Sequence, residues 1–290
     1  MGEMSASPAV WYVYGVVPPT LDIARAPEGL EDAPLQLVRE GPAAGLASML
    51  DGARYAPEPL ERSTENVEWL APRAVAHDRV LTWASDRAAG AVVPFPMFSL
   101  FSSEDAIRGM LRDRTAQLAA ALQRAAEGRE YVLRVYRIDS ELADVAVELS
   151  PRLAELQRTA DSAAPGQGYL LRRKLDAERK TELRLIGERV ARDAFDLLSA
   201  LALAATESPT PHRPTTVGST PAERGTAGAL VLDAAFLVTV KDFARFQREI
   251  TSLVGKHERR GFHFDFTGPW PPYHFVQDVG GATGAATRDG

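Results

Sequence analysis

An α+β fold in two domains is what this chain's residue pattern predicts, and three observations carry that reading. Short runs with strand character, such as Val10–Val17 and Tyr131–Ile138, are interspersed with helical patterns rather than segregated from them. A 290-residue length suffices for two cores of roughly 100–150 residues each. Gly128 closes one strand-and-helix block immediately before a second begins, which places the domains at 1–128 and 129–279.

In the first block, Val10–Val17 reads as a strand with aromatic residues on one face and aliphatic residues with Gly15 on the other. Residues 18–34, rich in Pro, Asp and Glu, read as a loop. Leu35–Arg39 and Gly45–Leu50 form two strands about a turn at Gly41-Pro42, and Arg54–Arg62 is irregular. Ser63 or Thr64 caps a helix including Val67 and Leu70, which Pro72 starts or interrupts; Val75, Val80, Leu81 and Trp83 continue it to about Ala89. Ala91–Phe98 is a buried strand. Ser102-Ser103-Glu104-Asp105 opens a helix that Ile107, Met110, Leu111, Leu118 and Leu122 carry to Gly128.

The second block opens with strand Tyr131–Ile138. Ser150-Pro151 starts a short helix to about Ala160, since proline suits the first helical position. After a small-residue break at Asp161–Gly168, one long helix spans Tyr169–Ala205, its stripe formed by Leu171, Leu175, Ile186, Val190, Leu197 and Leu201. The pairs Asp176/Lys180 and Glu188/Arg192 support it. Residues 207–228, dense in Pro, Thr, Ser and Gly, bury too little to offset their ordering entropy and read as a flexible excursion. Ala229–Val240 is a strand that kinks near Asp233. Asp242–Lys256 is an amphipathic helix with Phe243, Phe246, Ile250, Leu253 and Val254 on one side. Gly261–Thr267 is the last strand, and 280–290 is a disordered Gly/Ala tail. The order is compatible with a ferredoxin-like sheet carrying extra helices.

A formal charge of −6 argues against general nucleic-acid binding, and the absence of cysteine excludes disulfides, thiolate metal sites and a thiol nucleophile. No run reaches the length of a membrane span and no secretory leader is visible, so the expectation is a cytoplasmic protein with no membrane partner. Neither a phosphate-loop pattern nor a Gly-x-Ser-x-Gly elbow occurs, which leaves no small-molecule substrate or cofactor to assign. His212 falls in the excursion, where no catalytic group is held. The cluster Arg172-Arg173-Lys174, Arg179, Lys180 and Arg184 is interleaved with acids, the mark of a solvated face. His77 reads as a packing histidine. His263 and Asp265 share a strand face, and with His274 or His257 they are the best metal or acid–base candidates. That face lies opposite Phe262, Phe264 and Phe266, where polar residues are expected in any case. No metal is assigned.

The most distinctive segment is Gly268-Pro269-Trp270-Pro271-Pro272-Tyr273-His274-Phe275. Proline cannot donate to a ladder, so a rigid turn presenting Trp270 and Tyr273 follows the last strand. It is a structural lock, a recognition surface, or both, because rigid aromatics give large contact area at low entropic cost.

This segment resembles the C-terminal signature of the gas vesicle protein L/F family (GvpL/GvpF). Trp11-Tyr12-Val13-Tyr14-Gly15-Val16-Val17 is similar to the family's opening strand. Ala74-Val75-Ala76-His77 and Ala91-Val92-Val93-Pro94-Phe95 are similar to its histidine-bearing helix and the strand after it. The chain departs from the family where an Arg-Phe-Gly type sequence usually continues that strand; here Pro94-Phe95-Pro96-Met97-Phe98-Ser99 stands, and no role of that Arg carries over. The resemblance implies two α+β domains, the second partly ferredoxin-like. It further implies a non-enzymatic accessory protein of the gas vesicle that binds the small apolar shell protein and helps nucleate or build the wall. Other accessory proteins are the alternative partners, and a metal-assisted enzyme using His263, Asp265 and His274 is the rival. The expected partner surface is Trp270, Pro271, Pro272, Tyr273 and Phe275, with the exposed part of helix 242–256.

Overall fold

The computed structural model describes residues 9–207 and 228–276. The expected excursion, apart from its end residues Glu207 and Gly228, lies outside these, as do the tail 280–290 and His212. The chain forms two compact units. One takes the residues up to Glu130 and the segment from Pro269 onward; the other takes Tyr131–Gly268. The sequence placed the second domain's end at 279, whereas the second unit closes at Gly268.

In the first unit, β1 (Val10–Val17) is the central strand. It pairs antiparallel with β3 (Ala43–Leu50), which pairs with β2 (Gln36–Glu40), and on its other side with β4 (Val93–Pro94) and β5 (Leu100–Phe101). Only Val93–Pro94 of the expected strand 91–98 joins the ladder; Phe98 takes φ 62° and turns the chain toward β5. A register shift between Val13 and Gly15 reverses the alternation of β1. Val13 and Val16 therefore share one core, while Tyr12, Tyr14 and Val17 enter another. Helices α3 (Glu104–Asp113) and α4 (Thr115–Glu127) cover the Val13 side, and α2 (Val67–Arg87) covers the tyrosine side.

Several local expectations need correction. Residues 57–64 form α1 (Pro57–Thr64), started by Pro57 at its first position. The cap of α2 is Asn66, whose side chain accepts from the Glu68 and Trp69 amides, and not Ser63 or Thr64. Pro72 sits within α2 without ending it, although it lies beyond the first turn and removes the bond that would run to the Glu68 carbonyl. The helix expected from 103 to 128 is two helices that meet at Arg114. Val67 and Val75, assigned to the apolar stripe, are 73% and 43% exposed.

In the second unit, β6 (Arg129–Arg137) leads through α5 (Asp139–Leu149), α6 (Pro151–Ser162) and the 35-residue α7 (Pro165–Ser199) to β7 (Ala204–Glu207). Then come β8 (Ala229–Val238), α8 (Phe243–His257) and β9 (Phe262–Trp270). The strand order β7-β8-β6-β9 is that of the ferredoxin-like sheet. Sequence reading missed α5, and it extended the long helix to Ala205, into residues 204–207. Those residues instead pair antiparallel with Ala234–Leu237. One face of the sheet and the helices enclose a core of Leu133, Leu142, Leu153, Leu183, Ile186, Phe236, Phe246 and Phe262, among others. On α7 the buried stripe is Leu175, Leu183, Ile186, Val190, Ala194 and Leu198, whereas Leu197 is 40% exposed. Asp176 and Glu188 pair with Arg179 and Arg184 rather than with Lys180 and Arg192. Strand β8 continues through Asp233, whose carboxylate accepts from Arg134 at 3.3 Å.

Gly15 is where the register shift and the closest strand approach coincide. A Cβ there would lie 2.5 Å from the Val93 carbonyl oxygen and 3.3 Å from a Leu81 methyl. Gly15→Ala is expected to lower unfolding stability by about 2–3 kcal/mol, as an overpacked core position does. Urea unfolding measures this; a loss under about 0.5 kcal/mol would show that the ladder adapts freely.

Candidate docking site

The last described segment of the chain is fastened to the first unit by buried polar groups. After β9, Pro271 and Pro272 are buried, and the Tyr273 and Phe275 amides donate to the Pro271 and Pro272 carbonyls at 2.7 and 3.2 Å. His274 then meets Glu130 twice. Its backbone N–H donates to Oε2 at 2.9 Å, and its Nδ1 lies 2.6 Å from Oε1. The Glu130 side chain is 1% exposed. Burial holds its carboxyl above the ordinary carboxylate range, and the His274 contacts only partly oppose this. Val276 closes the segment by entering the Val13 core.

Tyr273 packs against the tyrosine-side core, and its hydroxyl donates to Asp78 of α2 at 3.3 Å. Along α2, Trp69, Arg73 and His77 recur at intervals of four and so share a face. His77 Nδ1 is 2.7 Å from the Tyr12 hydroxyl, which makes it the packing histidine the sequence suggested. Arg73 lies 3.9 Å above the Trp69 ring, donates to Glu31 at 2.5 Å, and approaches the Tyr55 hydroxyl at 3.3 Å. Arg54 also reaches Glu31, at 3.3 Å. Phe98 stacks on Trp69 with centroids 5.7 Å apart and meets the edge of Tyr12 at 6.2 Å. Burial pushes the phenols of Tyr12, Tyr14 and Tyr55 up, so these hydroxyls stay protonated hydrogen-bonding groups.

Three residues around this cluster adopt left-handed backbone without being glycine: Glu31 (φ 54°), Asp32 (φ 58°) and Phe98 (φ 62°). For a bulky residue such as Phe98 this costs about 1–2 kcal/mol. Strain of this kind persists only where surrounding contacts over-determine it. The result is a stacked, half-buried pair of rings, Trp69 and Phe98; Tyr273 is half-buried as well, bonded to Asp78 farther along α2. Tryptophan, tyrosine and arginine together are the composition of a protein-binding hot spot.

Of the residues singled out from the sequence, Trp270, Tyr273 and Phe275 are half-buried, while Pro271 and Pro272 are fully inside the fold. His274 is engaged by Glu130. His263 and Asp265 are half-buried on β9, with His263 beside Tyr136. His257 is buried against Phe262 and Phe264, on the face of β9 opposite His263, so the sheet keeps these two histidines apart. Burial and the positive Lys256 and Arg260 lower its pKa. Among the described residues no three His, Asp or Glu side chains gather as a metal site. The outward face of α8 is polar, not apolar. Trp69, Arg73 and Phe98 escaped sequence reading; the spacing of Trp69, Arg73 and His77 was the available signal.

Among the described residues no helix is long and apolar enough to cross a membrane.

The raised pKa of the buried Glu130 carboxyl gives a pH signature. A carboxyl whose folded pKa exceeds its unfolded value stabilises the fold below the unfolded pKa and loses that contribution as pH rises through the folded one. Between about pH 4.5 and neutrality, therefore, the stability of the wild type should fall relative to Glu130→Gln. Chemical unfolding across this range tests it, and parallel curves would show that Glu130 titrates alike in both states.

Residues 10–277 match the family model described as gas vesicle synthesis protein GvpL/GvpF. The chain is 29% identical over 272 residues to gas vesicle protein L of a Streptomyces species, covering 91% of this chain and 92% of the relative. It is 24% identical over 279 residues to gas vesicle protein L1 of Halobacterium salinarum, covering 93% and 91%. Its fold matches crystal structures of GvpF from Anabaena sp. PCC7120 and from Microcystis aeruginosa, each with a TM-score of 0.61. Identities are 18% and 14%; 93% and 92% of this chain is covered, against 96% and 99% of those chains. The chain belongs to the GvpL/GvpF family, whose role is in gas vesicle formation.

Proposed function

We propose that this member of the GvpL/GvpF family works in gas vesicle formation as a non-enzymatic binding protein that holds the small, apolar shell subunit in the cytoplasm and delivers it to the growing wall. The observation that carries the reading is the half-buried stacked pair of Trp69 and Phe98, held with left-handed backbone at Phe98, with half-buried Tyr273 on the same unit. A shell subunit with exposed apolar faces aggregates unless masked. A rigid aromatic surface masks such a face with little loss of side-chain freedom. Trp270 and Phe275, half-buried beside the same anchored turn, extend the surface, and buried Pro271 and Pro272 fix its backbone. Non-covalent capture is the chemistry an aromatic surface offers.

Co-expression with a small gas vesicle shell protein tests the reading. The wild type should move the shell protein from the pellet into a soluble complex. Replacing Trp69 and Tyr273 by Ala, or Trp270 and Phe275 by Ala, should weaken that complex tenfold or more, about 1.4 kcal/mol, while circular dichroism reports an intact fold. A shell protein that still pellets alone would overturn direct shell binding; pull-down of other vesicle accessory proteins would then favour a scaffold.

A further inference from the structure

The outward face of α8 carries a stripe of cations that no internal partner accounts for. Arg245, Arg248, Lys256 and Arg259 are exposed, with Lys241 and Arg260 at its ends, in a chain whose net charge is −6. Among the described residues none of the six is ion-paired, although acids stand nearby; Glu249, four residues after Arg245, is not joined to it. Lys256, Arg259 and Arg260 suit the negative end of the helix, but Arg245 does not suit its first turn, which holds no acid. Helix stability therefore explains only half the stripe. Between the cations lie Ala244, Thr251, Ser252 and Gly255, small residues that admit another helix closely. From Arg245 to Lys256 the stripe runs about 16 Å.

The same chain presents an exposed acidic stretch. Glu58 and Glu61 on α1, Glu65 at its C-cap and Glu68 in the first turn of α2 are all exposed. Among the described residues none of them is ion-paired either, and 73%-exposed Val67 adjoins them. Arg62 lies among these acids and donates to the Glu58 carbonyl.

We propose that the cationic face of α8 in one copy docks on the Glu58–Glu68 stretch of a second copy of this chain. The contact is head-to-tail, so each copy keeps one free surface of each sign and further copies add. Nucleic acid fits the surface less well, because the chain as a whole is acidic and repels phosphate. A lipid surface also fits less well, because no large apolar side chain stands between the cations to enter a bilayer. The proposal is independent of shell binding and needs no shell protein for its test.

Sedimentation velocity on the full chain over a concentration series, at about 20 mM and about 500 mM salt, gives the measurement. The wild type should self-associate at low salt and weaken roughly tenfold or more at high salt. The α8 variant R245E/R248E/K256E and the α1–α2 variant E58K/E61K/E65K/E68K should each remain monomeric, since each then presents surfaces of one sign only. Mixed in equal amounts they should associate again, because the reversed surfaces complement each other. All substituted residues are exposed, and circular dichroism verifies folding. A wild type that stays monomeric at low salt overturns the proposal, as does a mixture that fails to associate. So does binding of heparin or of phosphatidylserine vesicles that the α8 variant abolishes without any wild-type self-association.

Discussion

A carboxylate almost sealed from water, Glu130, is the constraint on which the candidate docking site depends. It stands where the chain leaves the first unit; His274, 144 residues later, stands just after the chain has returned. Their two hydrogen bonds close that long excursion at its neck. Burying a carboxyl is unfavourable unless its oxygens are satisfied, and here both oxygens meet His274, one through the backbone and one through the ring. Tyr273, held between His274 and the buried prolines, consequently has little freedom before any partner arrives. A surface ordered in advance loses less entropy on binding.

The aromatic cluster shows the same economy in the backbone. Phe98 in left-handed conformation costs about 1–2 kcal/mol. Its stacking on Trp69 and its edge contact with Tyr12 return about 0.5–1.5 kcal/mol each, beyond the area they bury. Arg73 ties the cluster together by covering Trp69 while bonding to Glu31, itself in left-handed conformation. The strain at Phe98 is thus offset within the cluster itself by the two ring contacts that hold it.

How much of this was legible in the sequence depended on whether the cause was local. Strands β1, β3 and β8, helix α8 and the capped helix α6 announced themselves through alternation, helical spacing or the Ser150-Pro151 cap. Ala204–Glu207 did not, because four small or polar residues after a long helix carry no strand signal; only pairing with Ala234–Leu237 makes them one. Pro72 misled because proline ordinarily starts or breaks a helix, whereas here the burial of Val80, Leu81 and Ala84 holds α2 together past it. In the site, Tyr273 was legible as a rigid aromatic after two prolines. Its anchor Glu130 was not, since nothing local marks a glutamate at the start of a strand as buried. Nor did the sequence reveal that Phe98 would take a conformation glycine usually occupies.

The two surfaces differ in the force they use, and that difference has consequences for assembly. The aromatic surface at Trp69, Phe98 and Tyr273 is apolar with polar groups already satisfied, so its attraction to an apolar partner persists or strengthens as salt rises. The surfaces at Arg245–Arg259 and Glu58–Glu68 are exposed charge, screened within roughly 8–10 Å at ordinary ionic strength. A contact through the proposed charge surfaces would therefore be weak and reversible, while one through the proposed aromatic surface would hold for longer, because buried aromatic anchors govern dissociation. A chain with both could gather copies loosely through charge and retain an apolar subunit through its aromatics. On the proposed reading, the first process would bring subunits to high local concentration, and the second would keep each one masked until the wall takes it.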